Sequence, residues 1–184
     1  GAGLFIVEAT AVEPEGRITH GCVGLYSDGT ERALKRVVEA CRRFGTAKLG
    51  IQLGHAGRKA ASRRPWEGKT LQDPTDASET WRRVSPSAIP FWEGTAPPHA
   101  LTLDDLEKLK ARFVDATVRA ERLGFDLVEL HAAHGYLLHQ FLSALSNTRT
   151  DRYGGSLENR MRFPLEVFAA ARRAFPAHKP LGIR

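Results

Sequence analysis

The sequence predicts an α/β chain that forms roughly half of a parallel (β/α)8 barrel, and three observations carry that expectation. Short apolar runs alternate with amphipathic stretches at helical spacing, the order of a parallel sheet with helices packed outside it. The runs are near-continuously apolar, as in strands covered on both faces. No glycine-rich GxGxxG turn follows the first run, so a doubly wound dinucleotide-binding sheet lacks its usual mark. A complete barrel takes about 250 residues, whereas this chain has 184 and offers four strands.

The elements follow in order. LFIVEATAV, Leu4–Val12, is apolar and punctuated by Pro14 and Gly16, and predicts a buried strand. From Thr30 to Phe44 the apolar residues Leu34, Val37, Val38, Cys41 and Phe44 form a helical stripe, with Gly45 as its stop. AKLGIQL, Ala47–Leu53, is the second strand. Leu103–Leu123 is a long amphipathic helix, opened by a capping box of Thr102 and Asp105 and closed by Gly124. FDLVEL, Phe125–Leu130, is the third strand, Ser156 starts a helix running to about Ala174, and Pro180–Arg184 is the fourth strand.

The whole chain, 1–184, reads as one partial barrel domain with a long excursion at 54–101. The excursion holds six of the ten prolines and all three tryptophans, which makes it either a binding loop or a surface excursion with its own small cluster. Composition narrows the function classes. The net charge is +6, but the basic residues are scattered among acids and no nucleic-acid motif accompanies them. The densest basic cluster, Arg58-Lys59 with Arg63-Arg64, suits a phosphate-bearing ligand equally well. No apolar run approaches the roughly 20 residues of a membrane helix, and no signal peptide opens the chain. Two cysteines, Cys22 and Cys41, are too few for a disulfide framework and point to a reducing cytoplasm.

In a parallel barrel the active site lies at the C-terminal strand ends. Those ends supply Glu8-Ala9-Thr10, then Gln52 with GHAGRK, then Glu129, His131, His134 and Tyr136, and last Arg184. Glu8 and Glu129 lie within apolar runs and are expected to pair with an arginine or lysine. Gln52 is either a satisfied core amide or the donor and acceptor that read a flavin's pyrimidine edge. His55 and Arg58 fit a loop-fixing role. One histidine is ordinarily satisfied by backbone, but His131 and His134 sit three apart and precede Gly-Tyr. No HExxH pattern or third ligand accompanies them, which leaves a pair of N–H donors gripping a substrate oxygen. A tyrosine, with a reference pKa of about 10, keeps its proton at neutral pH and can give it to a carbanion-like centre. His139 is assigned to structure, and the charged stretch from Arg149 to Arg160 to a salt-bridged wall behind the site.

EATAVEPEGRIT, IQLGHAGRKA, HAAHGYLLHQFLSALSNTRTDRYGGSLENRMRF and the terminal GIR resemble the old yellow enzymes, closest to their bacterial NADPH dehydrogenase and xenobiotic reductase branch. The likeness runs through essentially the whole chain, and its block from His131 to Phe163 is highly specific. One departure is Ser143-Ala144-Leu145-Ser146-Asn147, where the family generally reads SPLSN; losing the proline is expected to loosen that turn. The resemblance implies a TIM barrel of which this chain covers about strands 2 to 5. It implies FMN, reduced by NADPH or NADH, passing hydride to the activated C=C of enones or nitro compounds. It places Ala9, Gln52 and Arg184 against the flavin, His131 and His134 on the substrate carbonyl oxygen, and Tyr136 as proton donor to the α-carbon. It implies no metal, no nucleic-acid or membrane partner, a cytoplasmic location, and a homo-oligomer, dimer or tetramer, at full length. The loops that hold the FMN phosphate in this fold follow the last strands, so this segment alone is expected to be inactive. Two other readings stay open: a metal-dependent barrel hydrolase using the histidines, and a scaffold without activity.

Overall fold

The structure, a computed structural model, describes residues 1–67 and 81–184, so the middle of the excursion expected at 54–101 lies outside the described residues. Four parallel strands form the central sheet in the order β1 (Leu4–Ala11), β2 (Lys48–Gly54), β5 (Leu127–Leu130), β6 (Leu181–Ile183). Helices α1 (Asp28–Phe44), α2 (Leu103–Arg122) and α4 (Leu157–Ala174) fill the three crossovers, so the predicted alternation is the observed one. Between them lie a two-residue parallel pair, β3 (Val84–Ser85) and β4 (His99–Ala100), and a short helix α3 (Leu137–Leu142). None of these three was expected from the sequence. Two-residue strands and a six-residue helix are too short to show a period.

Local chemistry sets the helix ends. Ser27 and Thr30 form a reciprocal capping box on α1, about two turns before Leu34, where the apolar stripe begins. On α2 the expected pair is present, Thr102 accepting from the Asp105 amide and Asp105 accepting from that of Thr102. Gly124 adopts φ +81° and closes α2 as a Schellman turn, with Gly124 N–H donating to Glu121 and Phe125 N–H to Ala120. Gly45 ends α1 as expected, though without the left-handed conformation: its φ is −131°, an extended conformation open to any residue. What its missing side chain provides is space: a Cβ there would lie 3.0 Å from the Cys41 carbonyl oxygen.

One face of the sheet packs on the helices. Ile51, Leu53, Val128 and Leu130 are fully buried there against Leu106, Phe113, Ala116 and Ala120 of α2 and Phe163, Val167 and Ala171 of α4. The expectation that every strand is covered on both faces fails at β1, where Leu4, Phe5 and Ile6 are 43%, 53% and 38% exposed. Only β2 and β5 have strand neighbours on both sides; β1 and β6 are edges. The α1 stripe is likewise narrower than predicted: Leu34 and Val38 are buried, whereas Val37 and Phe44 are exposed. Ion pairs complete the helix layer, with Arg119 reaching Asp28, Glu31 and Asp115 and thereby joining α1 to α2.

Candidate active site at the strand ends

Successive side chains of a strand point to opposite faces, and the registers show which residues share the face turned away from the helices. Gln52 pairs with Glu129, and Glu129 with Gly182. By alternation Gly54, His131 and Arg184 lie on the same face one step further along β2, β5 and β6. At the C-terminal end of β1, Ala11 stands opposite Gly54. There a concavity opens, lined by Ala9, Thr10, Cys22, His55, His131 and Tyr136 among others. Three of the six predicted site residues, Ala9, His131 and Tyr136, therefore line one cavity. Gln52 and Arg184 sit on the adjoining strands, and His134 projects from the loop above.

The two buried-carboxylate expectations are corrected. Glu129 accepts a hydrogen bond of 2.5 Å from Gln52 Nε2 rather than pairing with a cation. Glu8 is exposed, because β1 breaks register between Val7 and Thr10 and turns that side chain to solvent. Gln52 keeps its carbonyl and its second N–H for other partners.

The turn after β5 explains why two histidines and a tyrosine converge. His134 and Gly135 take φ of +58° and +72°, consecutive left-handed residues. For a non-glycine residue that costs about 1–2 kcal/mol, and cross-links hold it. Lys59 Nζ donates to the His134 carbonyl at 3.0 Å, Gly135 N–H to His139 Nδ1 at 2.8 Å, and Gln140 Nε2 to the Gly135 carbonyl at 2.7 Å. His139 is thus structural, as expected. The reversal folds the segment back, so that the His131 ring lies 5.1 Å from that of His134 and 5.0 Å from that of Tyr136, both edge-on. His131 Nδ1 accepts weakly from the Ala133 amide at 3.4 Å, leaving the proton to Nε2, which has no partner among the described residues. The Tyr136 hydroxyl is also unengaged among them.

Gln140 is almost wholly buried and fastens a second loop to this turn: its Nε2 also donates to the Ala56 carbonyl, and its Oε1 accepts from the Arg58 amide. His55 fixes the same loop. Its imidazole Nδ1 accepts from Gly57 N–H, and Nε2 donates to Glu13 Oε1 at 2.9 Å. Arg58 donates to the carbonyls of Ile89 and Pro90, which confirms the loop-fixing role expected for both. The charged stretch behind the site is less a salt-bridged wall than a set of arginines on backbone carbonyls. Arg149–Asp151 is its one close carboxylate pair among the described residues, while Arg160 and Arg162 donate to the carbonyls of Leu142 and Arg152. The Ser143–Asn147 turn, expected to loosen without its proline, is closed by Asn147 N–H to the Ser143 carbonyl and by Ser146 Oγ to that of Gln140.

Sequence reasoning missed Lys59 and Cys22 as site residues. Lys59 stands over the Tyr136 ring at 4.8 Å, and Cys22 lines the cavity with its thiol accepting from Thr19 N–H. The basic cluster at Arg58-Lys59 was the signal for the first, and a thiol in a glycine-flanked loop the weak signal for the second. Among the described residues, no group of three or more metal-ligating side chains is brought together.

Electrostatics suit neutral hydrogen-bond donors. Burial, reinforced by His134 and Arg184, pushes the His131 pKa down to about 4. Burial also raises that of Tyr136, with Cys22 adding to the effect. A proton titration followed by NMR is expected to place the His131 midpoint near 4 and not near the ordinary 6.5. The unfolded chain takes up this proton near 6.5 and the folded chain only near 4, so acidification through that window removes stability and a higher pH restores it. A midpoint at or above 6.5 would contradict the buried, neutral state.

The fold defines a sector of a parallel α/β barrel, with a concavity at its strand ends. The chain belongs to the NADH:flavin oxidoreductase / NADH oxidase family, whose model matches residues 1–184. It is 48% identical over 187 residues to an NADH:flavin oxidoreductase of Gibberella zeae, covering 100% of this chain and 45% of the relative. It is 42% identical over 184 residues to an NADPH dehydrogenase of Clostridium acetobutylicum, covering 100% and 49%. The structure superposes on morphinone reductase with a TM-score of 0.82 at 37% identity, over 100% of this chain and 49% of that one. It superposes on the Old Yellow Enzyme of Pichia sp. AKU4542 with a TM-score of 0.82 at 33% identity, over 98% and 46%. The old yellow enzyme resemblance and the partial-barrel expectation both stand, and the chain spans about half the length of these relatives.

Proposed function

We propose that this chain forms the substrate-gripping half of an FMN-dependent ene-reductase that draws on NADPH or NADH. The observation that carries the reading is the convergence of His131, His134 and Tyr136 at the end of β5, with His131 held neutral. The residues on the open sheet face fit a flavin. Arg184 is exposed and has no carboxylate partner among the described residues, Gln52 has an amide carbonyl and N–H to offer, and Ala9 adds little bulk beside them. Arg184 and Gln52 would hold the pyrimidine edge, where negative charge gathers on reduction. FMN, when bound, supplies the hydride to the alkene β-carbon.

The remaining work falls to side chains. His131 Nε2–H and the His134 ring donate to the carbonyl or nitro oxygen, drawing electron density from the alkene and steadying the charge that builds there. Tyr136 then delivers its proton to the α-carbon; its raised pKa keeps that proton in place at neutral pH until the transfer. The partners are small enones or nitroalkenes, and the full-length protein is a cytoplasmic homo-oligomer. Both cysteines are free thiols, and no described helix is long and apolar enough to cross a membrane.

The absorption spectrum of the complete holoprotein tests this. Anaerobic NADPH is expected to bleach the oxidised flavin band, and cyclohexenone to restore it. A band that stays bleached with every enone and nitroalkene offered would overturn the ene-reductase reading. Stoichiometric zinc in a colourless protein would favour the hydrolase instead.

A further inference from the structure

We infer that Lys59 makes this site selective for substrates that carry a carboxylate beside the activated alkene. The inference rests on the ene-reductase reading for where the ligand lies. The ammonium of Lys59 sits between two aromatic rings, 4.8 Å from the centre of the cavity-lining Tyr136 and 4.9 Å from that of Phe91. Its one hydrogen bond among the described residues goes to the His134 carbonyl. An ammonium has three N–H donors, so two remain for a ligand.

Lys59 differs from the other part-buried lysines among the described residues. Lys110 and Lys179 each reach a carboxylate, that of Glu107 and that of Glu121. Neither Lys59 nor Arg58 does among the described residues, and Arg58 keeps a buried Nε without any partner. Burial works against the charge of Lys59, and the adjacent guanidinium works in the same direction. A part-buried cation without a counter-ion is costly, and an arriving anion relieves that cost where a neutral ligand cannot. The placement is specific, since the amine touches the carbonyl of one proposed oxygen-gripping residue and the ring of the proposed acid. A ligand whose carbonyl lies at His131 and His134 presents its next substituent to Lys59.

The test compares matched pairs in the complete holoprotein and in Lys59→Met and Lys59→Arg. Calorimetry gives the ratio of Kd values for 4-hydroxybenzoate and its methyl ester. Steady-state kinetics gives the ratio of kcat/KM for 3-benzoylacrylate and its methyl ester. Lys59→Met is expected to shift both ratios against the carboxylate by about tenfold, the size of one hydrogen bond to an ionised group. Lys59→Arg is expected to restore most of the shift, and 0.5 M salt to shrink it in the wild type. Ratios that do not move in Lys59→Met overturn the inference, even if both absolute rates fall. If no enone is reduced but the calorimetric ratio still depends on Lys59, the anion site stands and the ene-reductase reading fails.

Discussion

Replacing Tyr136 with phenylalanine is expected to lower enone turnover by about 10²- to 10⁴-fold, the usual contribution of a positioned general acid. The loss should fall on one half-reaction. Rapid-mixing traces are expected to show flavin reduction by NADPH at the wild-type rate, because that step needs no proton from Tyr136, and slow reoxidation by cyclohexenone. Phenolic ligands should still bind, since the proposed grip of His131 and His134 is untouched. The variant should also fold normally. The hydroxyl has no partner among the described residues, so its removal strands no buried donor or acceptor. Equal slowing of both half-reactions would mean that the ring, and not its proton, matters.

Arg149→Met is expected to have the largest effect on stability. The Arg149 side chain is 11% exposed, binds Asp151 through Nε and an Nη, and donates to the carbonyls of Pro86 and Leu101. It thereby ties the excursion that carries β3 and β4 to the turn entering α4. Removing one partner of a buried pair costs about 3–5 kcal/mol, and the lower figure applies because Asp151 is one-third exposed. Urea midpoints measure it. The Arg149 guanidinium holds the Asp151 carboxyl below its ordinary pKa. The difference between wild type and variant should therefore be complete above about 3.9 and shrink as the pH falls through the lowered value. A midpoint that barely moves would show the excursion held by other contacts.

The strand and helix order was legible because each element spans enough residues to show its period. Leu106, Leu109, Phe113 and Thr117 spell out α2, and the Thr102–Asp105 cap marks its start within a residue. The candidate site was legible in part, because strand ends can be located from sequence and His131 and Tyr136 stand beside one. What the sequence hid depends on chain reversals and distant partners. The left-handed turn at His134-Gly135 is held by Lys59, some 75 positions away. Likewise Glu129 finds Gln52 across 77 positions, where a cation was expected. Cys22 reaches the cavity only because its loop returns along β1, where Leu25 N–H meets the Ala11 carbonyl.

The Gln140 amide bears on how such a site can be re-engineered. Gly57 has φ +62°, and a Cβ on it would fall 2.3 Å from Gln140 Oε1. The two positions form a single unit of variation: a side chain at 57 requires both a new backbone conformation and a different residue at 140. Randomisation libraries that vary the loop tips at Lys59 and Phe91 while freezing Gly57 and Gln140 should retain far more folded members than libraries that sample all four freely. The loop tips can then vary without disturbing the hinge pin beneath them.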